Sequence, residues 1–370
     1  MSLTANSQCR RSTMASDSSI TLAEVLERAG GLDAAAMARA EARQGNLTKP
    51  PGALGQLEAL SVKLAGIFGS ERPVIGQKAV IIAAGDHGVV AQGVSGYPQE
   101  VTAQMVLNFL AGGAAISVIC SRLGIRQVIV DAGVATDLPP NPELRTLKIG
   151  RGTNDISQGP AMSRQQAVQC LEAGLNLGVE VIEAGADVLA TGDMGIGNTT
   201  ASSAITAAVT GLDAEQTTGE GTGRNPEELR HKAGVVRAAL AANSPDPADG
   251  IDLLSKVGGF EIGVLAGVFI AGAVMRRPVV VDGFISSAAA LVASAVCPAS
   301  RNFMLGSHVS AERGHRAALS ALELEPLFDL GMRLGEGTGA ALAMPIIEAA
   351  AATLSEMATF AEAGVSDRDP

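Results

Sequence analysis

Five times along the chain a short β-branched run ends in Gly, Asp or Ser and gives way to a helical segment. The runs are AVIIAAGDHG (Ala79–Gly88), QVIVDAGV (Gln127–Val134), DVLATGDMG (Asp187–Gly195), PVVVDGF (Pro278–Phe284) and NFMLGSH (Asn302–His308). Apolar runs this short, alternating with helices of about a dozen residues or more, indicate βα units and a mainly parallel sheet. The expected fold class is therefore α/β: a Rossmann-like parallel sheet flanked by helices. Such sheets bind ligands outside the carboxyl ends of their strands, here the Gly-, Asp- and Ser-rich loops that close each run.

The helical period predicts segments over Gln99–Leu123, Ser163–Ala184, Pro226–Ala242, Phe260–Val274, Ser286–Ala295, Ala311–Leu322 and Ala340–Thr359. Two more, Leu22–Arg43 and Gly52–Phe68, precede the first strand. They are expected to join the C-terminal helix in a small helical subdomain, residues 20–70 plus 340–365, beside a large α/β catalytic domain over residues 71–339. Residues 1–19 are expected to form a disordered tail. Pro139–Pro160 has no clear period and reads as a long excursion.

Composition narrows the ligand. Hydrophobic residues make up 47% of the 370, but aromatics only 2%, with no Trp and one Tyr. The interior must be built from Ala, Val, Ile, Leu and close-packed Gly, which suits helices lying tightly on a sheet. A net charge of −11 without a basic, aromatic-studded cluster argues against nucleic acid. A small molecule fits better. Four cysteines, Cys9, Cys120, Cys170 and Cys297, lie far apart and read as reduced cytoplasmic thiols. The apolar stretches Ile262–Met275 and Phe284–Pro298 are too short, or too rich in Gly and Ser, to suggest a membrane span. The N-terminus carries basic residues with no apolar core after them, unlike a secretory signal.

The stretch TGDMGIGNTTASSAI (Thr191–Ile205) runs from a strand end into a small-residue helix beginning at Asn198. Free N–H groups and the positive end of the helix dipole make such a start an anion site, although Asn and Thr are also ordinary caps. No GK[ST] follows, and the spacing is not GxGxxG, so ATP and nicotinamide-dinucleotide readings weaken.

The pentapeptide GEGTG occurs twice, at Gly219–Gly223 and Gly335–Gly339. The first opens the helix beginning NPEELRHK, with Arg224 and Lys232 as charge partners for an anion; Glu220, which a phosphate would repel, is expected to face solvent. The second is walled by Met332, Leu334 and AALAMPIIEAA. A carboxylate there tends toward a raised pKa, which suits a general base; the alternative is a helix-capping Glu. Asp86, His87, Asp193, Asp282 and His308 share one predicted sheet edge, but without HxxxH, HExxH or DxDxD spacing, and no metal is expected. Nor is there a GxSxG elbow.

Taken in order, GDHGVVAQGVSGYPQEVTAQMV, TGDMGIGNTTASSAI, GFEIGVLAGVFIAGA, VVVDGFISSAAALVA and LGMRLGEGTGAALAMPIIEAA resemble the nicotinate-nucleotide:dimethylbenzimidazole phosphoribosyltransferase family, colinearly over Lys49–Met357. The resemblance implies transfer of the ribose 5-phosphate of nicotinate mononucleotide to dimethylbenzimidazole, with inversion at C1′, giving α-ribazole 5′-phosphate and nicotinate in cobalamin assembly. It implies no cofactor and a homodimer, for which glycine-rich helices such as Phe260–Val274 are suited. By the same resemblance Glu336 is the general base. Gly221, Thr222, Gly223 and Lys232 hold the 5′-phosphate with Gly195, Gly197 and Asn198, and Asp282 lies near the nucleotide. Ser95, Gln104 and Leu334 are assigned to the benzimidazole pocket. Asp193 departs from the Glu expected in GEMGIGNTT, one methylene shorter. The alternative is a non-catalytic nucleotide-binding or sensing protein of the same fold, which would have no need of a base at Glu336.

Overall fold

The computed structural model describes Leu22 and residues 28–219 and 225–366. Among the described residues six strands form one sheet: β1 (Gln77–Gly85), β2 (Arg126–Gly133), β3 (Leu144–Thr146), β4 (Ala186–Met194), β5 (Val279–Val281) and β6 (Met304–Gly306). Their order is β3-β2-β1-β4-β5-β6, and every pairing is parallel. The winding reverses between β1 and β4, and it is at such a reversal that the loops leaving two neighbouring strands part to open a crevice.

Both faces of the sheet are covered, as the uninterrupted apolar runs require. Along β1 the pleat sends Ala79, Ile81 and Ala83 into one core and Val80, Ile82 and Ala84 into the other. The first core is closed by the helices Arg164–Glu183, Phe260–Met275 and Phe284–Val296, the second by Val101–Leu110, Ala115–Leu123 and Thr338–Glu356. Scarce aromatics are replaced by close backbone contact. A Cβ on Gly174 would lie 1.8 Å from the Val264 carbonyl oxygen, and one on Gly267 2.2 Å from that of Leu171. The helices Arg164–Glu183 and Phe260–Met275 therefore touch main chain to main chain, and an alanine at either glycine would force them apart.

The helices Ala34–Asn46 and Gln56–Phe68 pack on one another and on Thr338–Glu356. Arg43 fastens them, its Nε and Nη2 donating to the carbonyls of Leu354 and Met357 at 2.7 Å each. Buried Lys49 pairs with Glu58 at 2.8 Å. Through Leu60, Leu64 and Ile67 this group continues into the second sheet core.

Several expectations shift. The expected helix Gln99–Leu123 is two helices, because Gly112 takes a φ of 75° that helical residues do not adopt. The stretch Pro139–Pro160, read as an excursion, supplies the edge strand β3, which is too short to show a period. The helix Gly250–Val257 went unforeseen, and the expected helix Ala311–Leu322 starts only at His315. Residues 29–33 interrupt the expected helix Leu22–Arg43: Leu22 and Arg28 are helical, and a separate helix runs over Ala34–Asn46, capped by the Asp33 side chain. By length and composition, two segments that the sequence reading passed over, Val101–Leu123 and Thr338–Glu356, could cross a membrane. The break at Gly112 interrupts the first, and the second closes the sheet core. Cys120, Cys170 and Cys297 are free and buried, and burial pushes the Cys120 thiol up to about 12. Residues 1–19 lie outside the described residues.

Candidate active site

A cavity of about 400 Å³ opens at the carboxyl ends of the strands. Its wall takes Asp193 and Met194 from the end of β4, Gly195–Thr199 beyond it, Gly283–Ile285 beyond β5, and Ser310 and Glu312 beyond β6. Val94, Ser95, Tyr97, Val101 and Met105 come from the segment after β1; Lys232 and Arg333–Glu336 complete it.

On one side the chain turns sharply from β4 into the helix Asn198–Thr210. Gly197 carries the turn with a φ of 94°, and a Cβ there would strike Val90 at 2.8 Å. Among the described residues no side chain accepts from the first N–H groups of this helix, so its positive end faces the cavity. Lys232, only 1% exposed, donates to Thr199 Oγ1 at 2.8 Å. A buried ammonium beside an open helix start is a strong anion site.

On the other side Gly335, Glu336 and Gly337 adopt φ of 79°, 62° and 90° in succession. This left-handed run is fixed from beneath. Asp282 accepts from the N–H of Gly337 at 3.1 Å and of Ala340 at 2.8 Å, capping the helix Thr338–Glu356. Gly192 on β4 makes room, since a Cβ there would meet the Glu336 carbonyl oxygen at 2.4 Å. Glu336 itself is 6% exposed. Burial raises its pKa, and an N–H from Ile116 only partly offsets this. Its Oε2 has no partner among the described residues. A desolvated carboxylate with one open oxygen on a cavity wall is equipped to take a proton.

Asp193 sits beside it, against Gly335. Its Oδ2 accepts from Asn198 Nδ2 at 2.9 Å, while Oδ1 has no partner among the described residues. Burial first, then the charges of Asp282 and Glu261, hold its pKa well above the carboxylate range. Beneath the loop His87 Nε2 meets Glu261 Oε1 at 2.6 Å, a fully buried pair that keeps His87 raised against the cost of burial. Among the described residues no three His, Cys, Asp or Glu side chains converge as a metal-binding group.

Of the residues expected from sequence, Ser95, Asp193, Gly195, Gly197, Asn198, Lys232, Leu334 and Glu336 meet around this cavity. Two do not. Asp282 lies under the wall, with no exposure and its oxygens occupied by main chain; it supports the Glu336 turn and does not face the cavity. Gln104 is exposed on the helix Val101–Leu110, whose Val101 and Met105 face the cavity instead. At 100° per residue, one position off an i, i+4 pair turns a side chain away. Gly221, Thr222 and Gly223 lie outside the described residues, as do Glu220 and Arg224. The sequence reading missed Tyr97, Ser310, Glu312 and Arg333. Ser310 and Glu312 follow the GSH end of the fifth run, so the strand-end rule could have found them.

Known proteins share this architecture. A family model described as phosphoribosyltransferase matches residues 29–365. The nicotinate-nucleotide–dimethylbenzimidazole phosphoribosyltransferase of Roseiflexus sp. (strain RS-1) is 58% identical over 347 residues, covering 94% of this chain and 98% of its own. That of Desulforudis audaxviator is 52% identical over 349 residues, covering 93% and 98%. The crystal structure of the Thermus thermophilus enzyme of the same name superimposes with a TM-score of 0.87 at 46% identity, covering 91% of this chain and all of that one. With the fold, the cavity and the length of these matches in agreement, the chain belongs to the nicotinate-nucleotide–dimethylbenzimidazole phosphoribosyltransferase family.

Proposed function

We propose that the chain transfers the 5-phosphoribosyl group of nicotinate mononucleotide to dimethylbenzimidazole, giving α-ribazole 5′-phosphate and nicotinate. The observation that carries this reading is the pairing, in one cavity, of an open helix start and Lys232 with the desolvated carboxylate of Glu336. The 5′-phosphate takes the N–H groups around Asn198 and the Lys232 ammonium. Glu336 removes the proton from one ring nitrogen of the benzimidazole while the other nitrogen attacks C1′ from the face opposite nicotinate. The C1′–N bond to nicotinate breaks as the new C1′–N bond forms, and the pyridinium leaves as a neutral ring. Because the leaving group is already cationic, positioning and one proton transfer suffice. Val101, Met105, Tyr97 and Leu334 supply apolar surface for the flat bicyclic ring. Incubating the protein with both substrates and following α-ribazole phosphate by chromatography tests the assignment; binding without product would favour the non-catalytic reading.

The same reading includes a homodimer acting in the cytoplasm, with the helices at the two ends of the chain as a small subdomain. Exposed Tyr97, Leu107, Val118, Leu330 and Leu334 support the dimer, since apolar side chains of this size favour cover. The glycine-rich helix Phe260–Met275 does not, being buried along nearly its whole length inside the subunit. Sedimentation at working concentration decides it, a stable monomer ruling the dimer out.

A further inference from the structure

One carboxylate on the cavity wall has no part in this chemistry. Glu312 is 6% exposed and shares the wall with Asn198, Lys232 and Glu336. A rigid turn presents it. Ser310 Oγ accepts from the Glu312 N–H at 3.3 Å, and the Glu312 carbonyl accepts from the His315 N–H at 3.1 Å. The Ser310 N–H in turn donates to His315 Nδ1 at 2.8 Å. Burial lowers the His315 pKa to about 3, so its ring is neutral and this nitrogen can accept. Ala311 N–H donates to the Met332 carbonyl at 2.9 Å, tying the turn to the segment that leads to Glu336. Facing it, Gly219 closes over the carboxylate: a Cβ there would lie 1.9 Å from Glu312 Oε2.

The nucleotide offers three kinds of group to such a wall. Its phosphate takes donors and a cation, and Glu336 is committed to the incoming ring. The ribose hydroxyls are donors and need an acceptor beside the phosphate site. Among the described residues three carboxyl groups line the cavity, Asp193, Glu312 and Glu336. Asp193 gives one oxygen to Asn198, and burial with the neighbouring charges keeps it protonated, which makes it a poor acceptor for a hydroxyl. A carboxylate is the group that most often takes a ribose diol, and bonds to the hydroxyl next to an anomeric carbon strengthen as positive charge develops there.

We propose that Glu312 accepts the ribose 2′- and 3′-hydroxyls of the nucleotide and, through the 2′-hydroxyl, stabilises the charge that builds on C1′ as nicotinate departs. The assignment rests on the transferase reading of this cavity. It makes Glu312 a determinant of ribose over deoxyribose, separate from the phosphate site.

The test is a cycle of kcat/KM values for nicotinate mononucleotide and its 2′-deoxy analogue, with wild type, Glu312→Ala and Glu312→Gln. Comparing ratios cancels the greater intrinsic lability of the deoxy glycosyl bond. Wild type is expected to favour the ribonucleotide by about 10–100-fold, the range for a hydrogen bond to a charged group. Glu312→Ala should lose a similar factor on the ribonucleotide and keep a preference below about 3-fold, with KM for dimethylbenzimidazole unmoved; Glu312→Gln should fall between. If the alanine variant does not fold, the glutamine variant carries the same comparison. Undiminished ribose preference in a folded, active variant overturns the Glu312 assignment alone. A wild type that makes no α-ribazole phosphate overturns the transferase reading and this assignment with it.

Discussion

Two helices, Asn198–Thr210 and Thr338–Glu356, begin at the same cavity, each behind a left-handed glycine, Gly197 at φ 94° and Gly337 at φ 90°. What lies at the two N-termini differs. At the second, the protein supplies its own acceptor: the Asp282 carboxyl group fills the position with both oxygens on main-chain N–H groups. At the first, no side chain among the described residues does so, and Lys232 adds a further positive charge. One local structure thus serves as an internal fastening in one place and stays open to the cavity in the other. The fastening holds Glu336 on the wall; the open start is the phosphate seat of the proposed reaction.

The largest expected effect breaks the fastened side at its working residue. Glu336→Gln keeps size and hydrogen bonding but takes no proton, so kcat should fall by about 10²–10⁴-fold while nicotinate mononucleotide binding holds. Steady-state kinetics with separate binding titration checks this. Wild-type kcat/KM should also be lost as pH falls through the raised Glu336 pKa, with its acid limb above the ordinary carboxylate range. Equal activity of wild type and variant would make Glu336 a cap.

On the open side, Lys232→Met should raise KM for nicotinate mononucleotide by about 10–100-fold, from the loss of one charged contact to phosphate, and move kcat less. A reversed pattern, kcat lost with KM intact, would place Lys232 nearer the reacting bond.

Asp282→Asn probes the fastening without touching the cavity. An amide cannot accept both N–H groups, so stability should drop by about 2–4 kcal/mol and kcat by about 10-fold. Burial pushes Asp282 up to about 7 in the folded protein, above its unfolded value of 3.8. The protonated form therefore favours the native state; this contribution is complete below pH 4 and is lost as pH rises through 7. Thermal melts should lose that slope in the variant.

The smallest effect concerns the neighbouring helix. Gln104→Ala should leave activity within about 2-fold, whereas Met105→Ala should raise KM for dimethylbenzimidazole by several-fold, following side-chain direction.

The parallel sheet and its ligand-bearing edge were legible because five strands are apolar runs closed by Gly, Asp or Ser, as in AVIIAAGDHG. β3 was not, since three residues, Leu144–Thr146, are too few to show a period and are held only by the edge of β2. The burial of Glu336 on the cavity wall was legible from its apolar neighbours. Asp282 was placed at the right edge, but its position under the wall was not legible: sequence marks a carboxylate at a strand end but not which N–H groups come to meet it. For Glu312 the strand-end rule marks the loop but does not single out the residue, because its position depends on Ser310, His315 and Gly219 meeting in space.

The backbone of Glu336 sets a limit on improvement. A β-bearing residue at φ 62° costs about 1 kcal/mol or more, and this one also buries a carboxylate near Asp193. Asparagine tolerates that conformation better and carries no charge. Selection for heat resistance alone would thus favour Glu336→Asn, a variant expected to melt higher than wild type and to turn over almost nothing. Durability and turnover oppose each other at this residue, and a thermostable version of the enzyme has to find its gain elsewhere.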